Sequence, residues 1–94
     1  MIHSERLTMA RLWLAKGFVV PRHVHENEQV STVESGLLRF FFDDQTIDLG
    51  PGESLVIPSN VPHRAEALEE TVALDIFAPV REDWRSGNDA YLRR

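Results

Sequence analysis

Short apolar runs broken by turn residues set the pattern of this chain. Residues 8–15, TMARLWLA, read as the first strand, and Arg11 among apolar neighbours marks one side of it as partly solvent-facing. Gly17 then permits a tight turn. Residues 18–25 form a second extended piece interrupted by Pro21, which favours an edge strand or a bulge. Residues 28–34, EQVSTVE, alternate and are rich in β-branched types. Ser35 and Gly36 mark a turn into 37–42, LLRFFF, which puts Leu38, Phe40 and Phe42 on one side and Leu37 and Phe41 on the other. Asp43, Asp44 and Gln45 make a hairpin loop from which 46–49 returns. Residues 54–57 lie between a turn at Gly50, Pro51 and Gly52 and another at Pro58, Ser59 and Asn60. Residues 62–68 and 71–78 are the last two strands, with Glu69 and Glu70 in the turn between them. No strand is predicted ahead of Thr8. After Pro79 the pattern changes: Glu82, Asp83 and Trp84 begin one helical turn and Asn88 to Leu92 another.

Roughly eight short strands at close spacing, with no alternation of strand and helix, point to an all-β sandwich or barrel of the jelly-roll kind. The chain's 94 residues fit a single domain spanning 1–94, with a short helical tail. The 37–42 segment is apolar on both faces. Covering both takes a second sheet, the tail or another subunit, so a homodimer is expected.

Composition narrows the function classes. The net charge of −5 and the scattered basic residues argue against nucleic acid as a partner. No apolar run approaches a membrane span, and the first residues do not resemble a signal peptide. The chain has no cysteine, which removes disulfides and thiolate metal sites and fits a reducing cytoplasm.

Chemistry concentrates between Gly17 and Gly36. An extended backbone turns His23 and His25 to the same face, about 7 Å apart, within reach of one ion. Gln29 shares the parity of His25 and can join them if Glu26, Asn27 and Glu28 turn the chain back. Taken alone, such a pair also fits two surface histidines beside a loop. A second cluster lies at 74–84. Thr71, Ala73, Asp75 and Phe77 share one strand face, and Val72, Leu74 and Ile76 the other. An aspartate in so apolar a strand needs a cation, a hydrogen bond, a proton or an arginine partner. His3 fits no motif and is expected at the surface. Trp13, Trp84 and Tyr91 are expected to be packing groups.

Gly17, His23, His25, Gln29 and Gly36 fall at the spacing of the first cupin motif, G-x5-H-x-H-x3,4-E-x6-G, with Gln29 in place of Glu. Gly52, Pro58 and His63 match the second, G-x5-P-x-G-x2-H-x3-N, with Asn60 in place of Gly and Ala67 in place of Asn. The chain therefore resembles the cupin superfamily over residues 17–67. That resemblance implies a double-stranded β-helix barrel with His23, His25, Gln29 and His63 pointing inward around one divalent metal. Three imidazoles and one amide oxygen are all neutral donors, suited to Zn, Ni, Fe or Mn.

The run from Asp75 through Phe77, Pro79 and Arg81 to Asp83 is similar to the C-terminal strand of the pectin-degradation cupins, which open the ring of unsaturated monouronates. By position, the resemblance implies a pocket of Asp75, Phe77 and Arg81 beside the metal. Asp75 would be the general acid/base, Arg81 the anchor of a substrate carboxylate and Phe77 an apolar wall. The expected function is a metal-dependent enzyme opening or isomerising a small sugar acid. An Fe(II)-dependent cupin dioxygenase and a non-enzymatic small-ligand-binding cupin are the alternatives.

Overall fold

The computed structural model describes residues 1–87. It contains nine strands and one short helix: β1 Ile2–His3, β2 Thr8–Leu14, β3 Val19–His23, β4 Glu28–Ser35, β5 Leu38–Phe41, β6 Thr46–Leu49, β7 Ser54–Ile57, β8 His63–Ala67, β9 Thr71–Ala78 and α1 Glu82–Arg85. Two sheets face each other. One has the order β1-β2-β9-β4-β7 and the other β3-β8-β5-β6, and all the pairings are antiparallel. This is the jelly-roll barrel that the strand spacing predicts.

The period of two decides what faces inward. In β2, Thr8, Ala10 and Leu14 are buried, while Met9, Arg11 and Trp13 point out. In β9, Thr71, Ala73, Asp75 and Phe77 are buried. The core divides along the barrel. Leu14, Val33, Leu38, Phe40, Leu49, Ile57, Ala65, Ala67 and Ala73 pack one end. Ala10, Phe77 and Trp84 pack the other. Polar Gln29, Ser31, His63 and Asp75 are buried as well.

Several local expectations meet their physical causes. β3 is an edge strand, and its register with β8 shifts between Val20 and His23, around Pro21. Asn60 takes a left-handed φ of 61°, the conformation that a turn glycine otherwise supplies. Gly36 has a φ of +91°, and a Cβ there would lie 2.3 Å from the Glu70 carbonyl oxygen. Gly36→Ala therefore combines backbone strain with a clash against backbone. We expect a loss of about 2 kcal/mol or more, measured by urea denaturation; a variant as stable as wild type would contradict this.

Four expectations change. A strand does precede Thr8: Ile2 and His3 pair with Met9 and Thr8. His3 is half-buried, its Nδ1 2.8 Å from Thr8 Oγ1, because that pairing draws it in. Trp13 is 67% exposed rather than packed, because β2 alternation turns it outward beside Arg11. The second face of 37–42 is partly covered within the chain: Leu37 and Phe41 are half-buried, and the Arg64 guanidinium lies 3.7 Å from the Phe41 ring centre. A group of exposed apolar side chains lies on the outer face of the five-stranded sheet, at Met9, Trp13, Val56 and Ile76. The helical turn expected at Asn88 to Leu92, with Tyr91, lies outside the described residues. No helix among the described residues is long and apolar enough to cross a membrane.

Candidate metal centre

Both sheets supply donors. His23 ends β3 and His63 opens β8, where the register pairs them. The chain then bends at Glu26 and Asn27 and crosses to the other sheet, where Gln29 is buried in β4. His25 sits in the crossing. The candidate ligand nitrogens of His23, His25 and His63 all lie within 4.8 Å of one another. Gln29 Oε1 is 3.2 Å from His25 Nε2.

The hydrogen bonds say which nitrogens are available. His23 Nδ1 is 2.8 Å from the Pro21 carbonyl oxygen. His25 Nδ1 is 2.9 Å from that of Asn27, and His63 Nδ1 2.8 Å from that of Val61. A carbonyl only accepts, so each Nδ1 carries the proton. Each neutral ring then keeps an unprotonated lone pair on Nε2. Burial holds the rings neutral. It pushes the pKa of His23 and His25 below the ordinary value, with the Arg81 charge helping. It is also the main cause that takes His63 down to about 4, with the neighbouring histidines and the Arg81 charge helping.

Three neutral imidazoles thus turn lone pairs toward one another, and the Gln29 oxygen adds another beside His25. Acceptors facing acceptors have no mutual attraction. A divalent cation satisfies such a set, and the backbone carbonyls behind the rings are the outer partners that orient metal-bound histidines. The donor chemistry therefore fits a metal. The protein-only ligand set leaves its identity open, as the sequence does.

Asp75 does look into the barrel, 7% exposed. Its partner is not an arginine: Ser31 Oγ donates to its Oδ1 at 2.6 Å. Gln29 Nε2 donates toward Oδ2 at 3.4 Å. Burial pushes the Asp75 carboxyl up to about 6, against the downward pull of the Ser31 hydrogen bond and the Arg81 charge. Phe77 stands edge-on to His25 with ring centres 5.7 Å apart and to Trp84 at 4.8 Å.

Arg81 is buried, 4% exposed, which the sequence did not foretell. Its guanidinium lies 3.9 Å from the Trp84 ring centre and 4.9 Å from that of Phe77. Its Nε and Nη2 donate to the two carboxylate oxygens of Asp83, at 2.9 and 2.6 Å. That bidentate pairing holds the Asp83 carboxyl below the usual range. Two buried side chains pin the segment that carries Arg81. Thr8 Oγ1 accepts from the Arg81 backbone N–H at 2.8 Å, and Asn27 Nδ2 donates to the carbonyls of Pro79 and Val80.

Sequence reasoning missed Ser31, Thr8, Asn27 and the pairing role of Asp83. Ser31 carried a signal: it shares the inward parity of Gln29. Asn27 carried none, because its partners lie more than fifty residues away.

A cavity of about 40 Å³ is lined in part by His23, His63, Gln29, Asp75, Phe77 and Arg81. It has room for an ion or a few waters, not for a sugar. A more open cleft of about 240 Å³ adjoins it, bounded by Pro21, His23, Val24, His25, Arg81 and Asp83.

A family model described as Cupin domain matches residues 11–77. Among solved structures, an RmlC-like cupin from Shewanella frigidimarina NCIMB 400 superposes with a TM-score of 0.80 at 31% identity, over 85% of this chain and 72% of that one. KdgF from Halomonas sp. superposes with a TM-score of 0.82 at 29% identity, over 88% of this chain and 79% of that one. The DMSP lyase DddQ from Ruegeria pomeroyi DSS-3 shares the fold, with a TM-score of 0.72 at 21% identity, over 85% of this chain and 41% of that one. The curated proteins offer no significant match.

Proposed function

Because the chain belongs to the Cupin domain family, we propose that it is a metal-dependent enzyme that opens or isomerises a small sugar acid of the unsaturated-uronate class. The observation that carries this is the shared lining of one cavity by His23, His63, Gln29, Asp75 and Arg81, with His25 converging on the same two histidines. The similarity to KdgF and the tail from Asp75 to Asp83 support the substrate class.

His23, His25 and His63 would hold the ion through Nε2, and Gln29 through Oε1. A divalent ion so held, with no anionic ligand, supplies Lewis-acid polarisation of a substrate oxygen. The body of the sugar acid would occupy the open cleft, since the inner cavity is too small for it, with the reacting end turned into the adjoining inner cavity that Asp75 lines. Asp75 moves the proton. Its Oδ1 is held by Ser31 at 2.6 Å, while Gln29 Nε2 meets Oδ2 only at 3.4 Å, so Oδ2 is the oxygen for exchange. It takes the proton from the hydroxyl on the hemiacetal carbon as the ring C–O bond opens to an aldehyde. It then returns a proton to the enol carbon, which gives a ketone. The change is an isomerisation, and Asp75 ends as it began. With a pKa raised to about 6 it is mostly ionised at neutral pH yet a stronger base than an ordinary carboxylate. Arg81 takes the substrate carboxylate on the face that Asp83 occupies, by displacing Asp83. Phe77 and Trp84 keep water from the guanidinium.

Loss of the ring form of an unsaturated monouronate, followed by NMR, tests the reaction. A metal-loaded protein that leaves the spontaneous rate unchanged ends this reading. Oxygen uptake with Fe(II) would then favour a dioxygenase, and tight ligand binding without turnover a binding module.

The proposed assembly is a homodimer built on the outer face of the five-stranded sheet, where Met9, Trp13, Val56 and Ile76 stand exposed. Trp13→Glu should convert it to monomers in sedimentation at micromolar concentration. A wild type that sediments as a monomer would contradict the dimer.

A further inference from the structure

We propose that Ser31 is a positioning residue that sets which end of the Gln29 amide faces the three histidines. The inference rests on the metal reading above. An amide side chain presents an oxygen at one end and an NH₂ of nearly the same shape at the other. Steric fit therefore cannot choose between them; hydrogen bonding must.

Ser31 is 0% exposed and stands directly opposite Asp75 in the pairing of β4 with β9. Its hydroxyl has one proton, and it gives that proton to Asp75 Oδ1 at 2.6 Å. Toward Gln29, Ser31 Oγ can then only accept. Gln29 presents Nε2 to it at 2.8 Å, and the same NH₂ leans on Asp75 Oδ2 at 3.4 Å. Oε1 is thereby turned to the histidines, 3.2 Å from His25 Nε2. A flipped amide would set its oxygen against the Ser31 lone pairs and the Asp75 carboxylate. It would also aim its NH₂ at the His25 lone pair, and an NH₂ cannot ligate a cation.

The His25 lone pair favours that flip, because it would gain a donor. The Ser31 and Asp75 acceptors oppose it, and bonds toward a charged acceptor are the stronger kind. Ser31 therefore decides whether position 29 offers the metal an oxygen or the histidine a hydrogen bond. Asp75 acts on Gln29 through this serine as well as directly.

The probe is Co(II), whose visible absorption reports donor set and coordination number. Metal-free wild type, Ser31→Ala, Ser31→Thr and Gln29→Ala are titrated with Co(II) against a competing chelator. Ser31→Ala should lower Co(II) affinity about 10- to 100-fold, the scale for outer partners of metal ligands. Its absorption should move to that of Gln29→Ala. Ser31→Thr keeps the hydroxyl and should restore both. If Ser31→Ala does not fold, Ser31→Cys keeps the volume with weaker hydrogen bonds and should shift affinity and spectrum the same way. In the metal-free proteins, the ¹⁵N resonance of the Gln29 side-chain amide should shift in Ser31→Ala and return in Ser31→Thr. A wild type that binds no Co(II) ends the metal reading and this inference with it. A wild type that binds, beside a Ser31→Ala variant with unchanged affinity and spectrum, ends this inference alone.

Discussion

Replacing His25 and His63 together by Ala should empty the protein of its divalent ion while the barrel still folds. The two rings supply two of the three converging lone pairs, and His23 and Gln29 alone make too poor a set to hold an ion against dilution. The barrel should survive because its larger apolar cluster contains neither histidine. Metal analysis of protein purified without an affinity tag or added metal checks the first point, and circular dichroism the second. Stoichiometric metal in the double variant would end the assignment. The pH dependence follows from the same geometry. A metal competes with protons only below the pKa that each ring has in the metal-free fold. Burial sets those values below the ordinary 6.5, and His63 at about 4. Wild-type protein should therefore keep its ion as pH falls through 6.5 and release it at lower pH. Release above pH 6.5 would mean that other groups hold the metal.

Asp75→Asn should lower the turnover number about 10²-fold or more, the usual scale for general acid–base catalysis. The amide keeps the shape and can still accept the Ser31 hydrogen bond, and the three histidines are untouched, so they should still hold the ion, with affinity lowered only as far as Gln29 loses its Asp75 acceptor. Arg81→Lys should act differently. Lysine keeps the charge but loses the planar fork that meets Asp83 and the face that stacks on Trp84. The Michaelis constant should rise more than the turnover number falls. Steady-state kinetics on an unsaturated monouronate, with metal loading measured for each variant, separates the two. Full turnover in Asp75→Asn would remove Asp75 from the chemistry.

The barrel was legible because period-two alternation and turn residues are local signals. The strands β2 to β9 lie within a residue or two of their expected bounds, and the inward parity of Asp75 and Phe77 follows from counting along β9. The histidine cluster was legible for the same reason, through His23 and His25 on one short stretch, with His63 added by the motif. What stayed hidden depends on partners brought together across the sheets. The strand at Ile2 and His3 is two residues long and carries no pattern of its own. The burial of Arg81 comes from Trp84, Phe77 and Asp83 closing around it. The substitution of Gln29 for the motif's Glu also gains a physical account. Asp75 Oδ2 lies 3.4 Å from Gln29 Nε2, so a glutamate at 29 would set two carboxylates side by side, a like-charge pair that resists ionising together.

The position of β9 bears on the order in which the barrel can assemble. The last strand in sequence is the middle strand of its sheet, hydrogen-bonded to β2 on one side and β4 on the other. Until residues 71–78 have joined, β2 has only the two residues of β1 beside it, and β4 only β7. Loop-closure entropy must be spent across most of the chain before these pairings return anything, so closure is slow compared with hairpin formation. During synthesis the early strands wait with open edges until the final strand arrives to seal them. The same strand brings Asp75 and Phe77, and Arg81 follows directly. The cavity thus gains Asp75, Phe77 and Arg81 in the step that closes the fold.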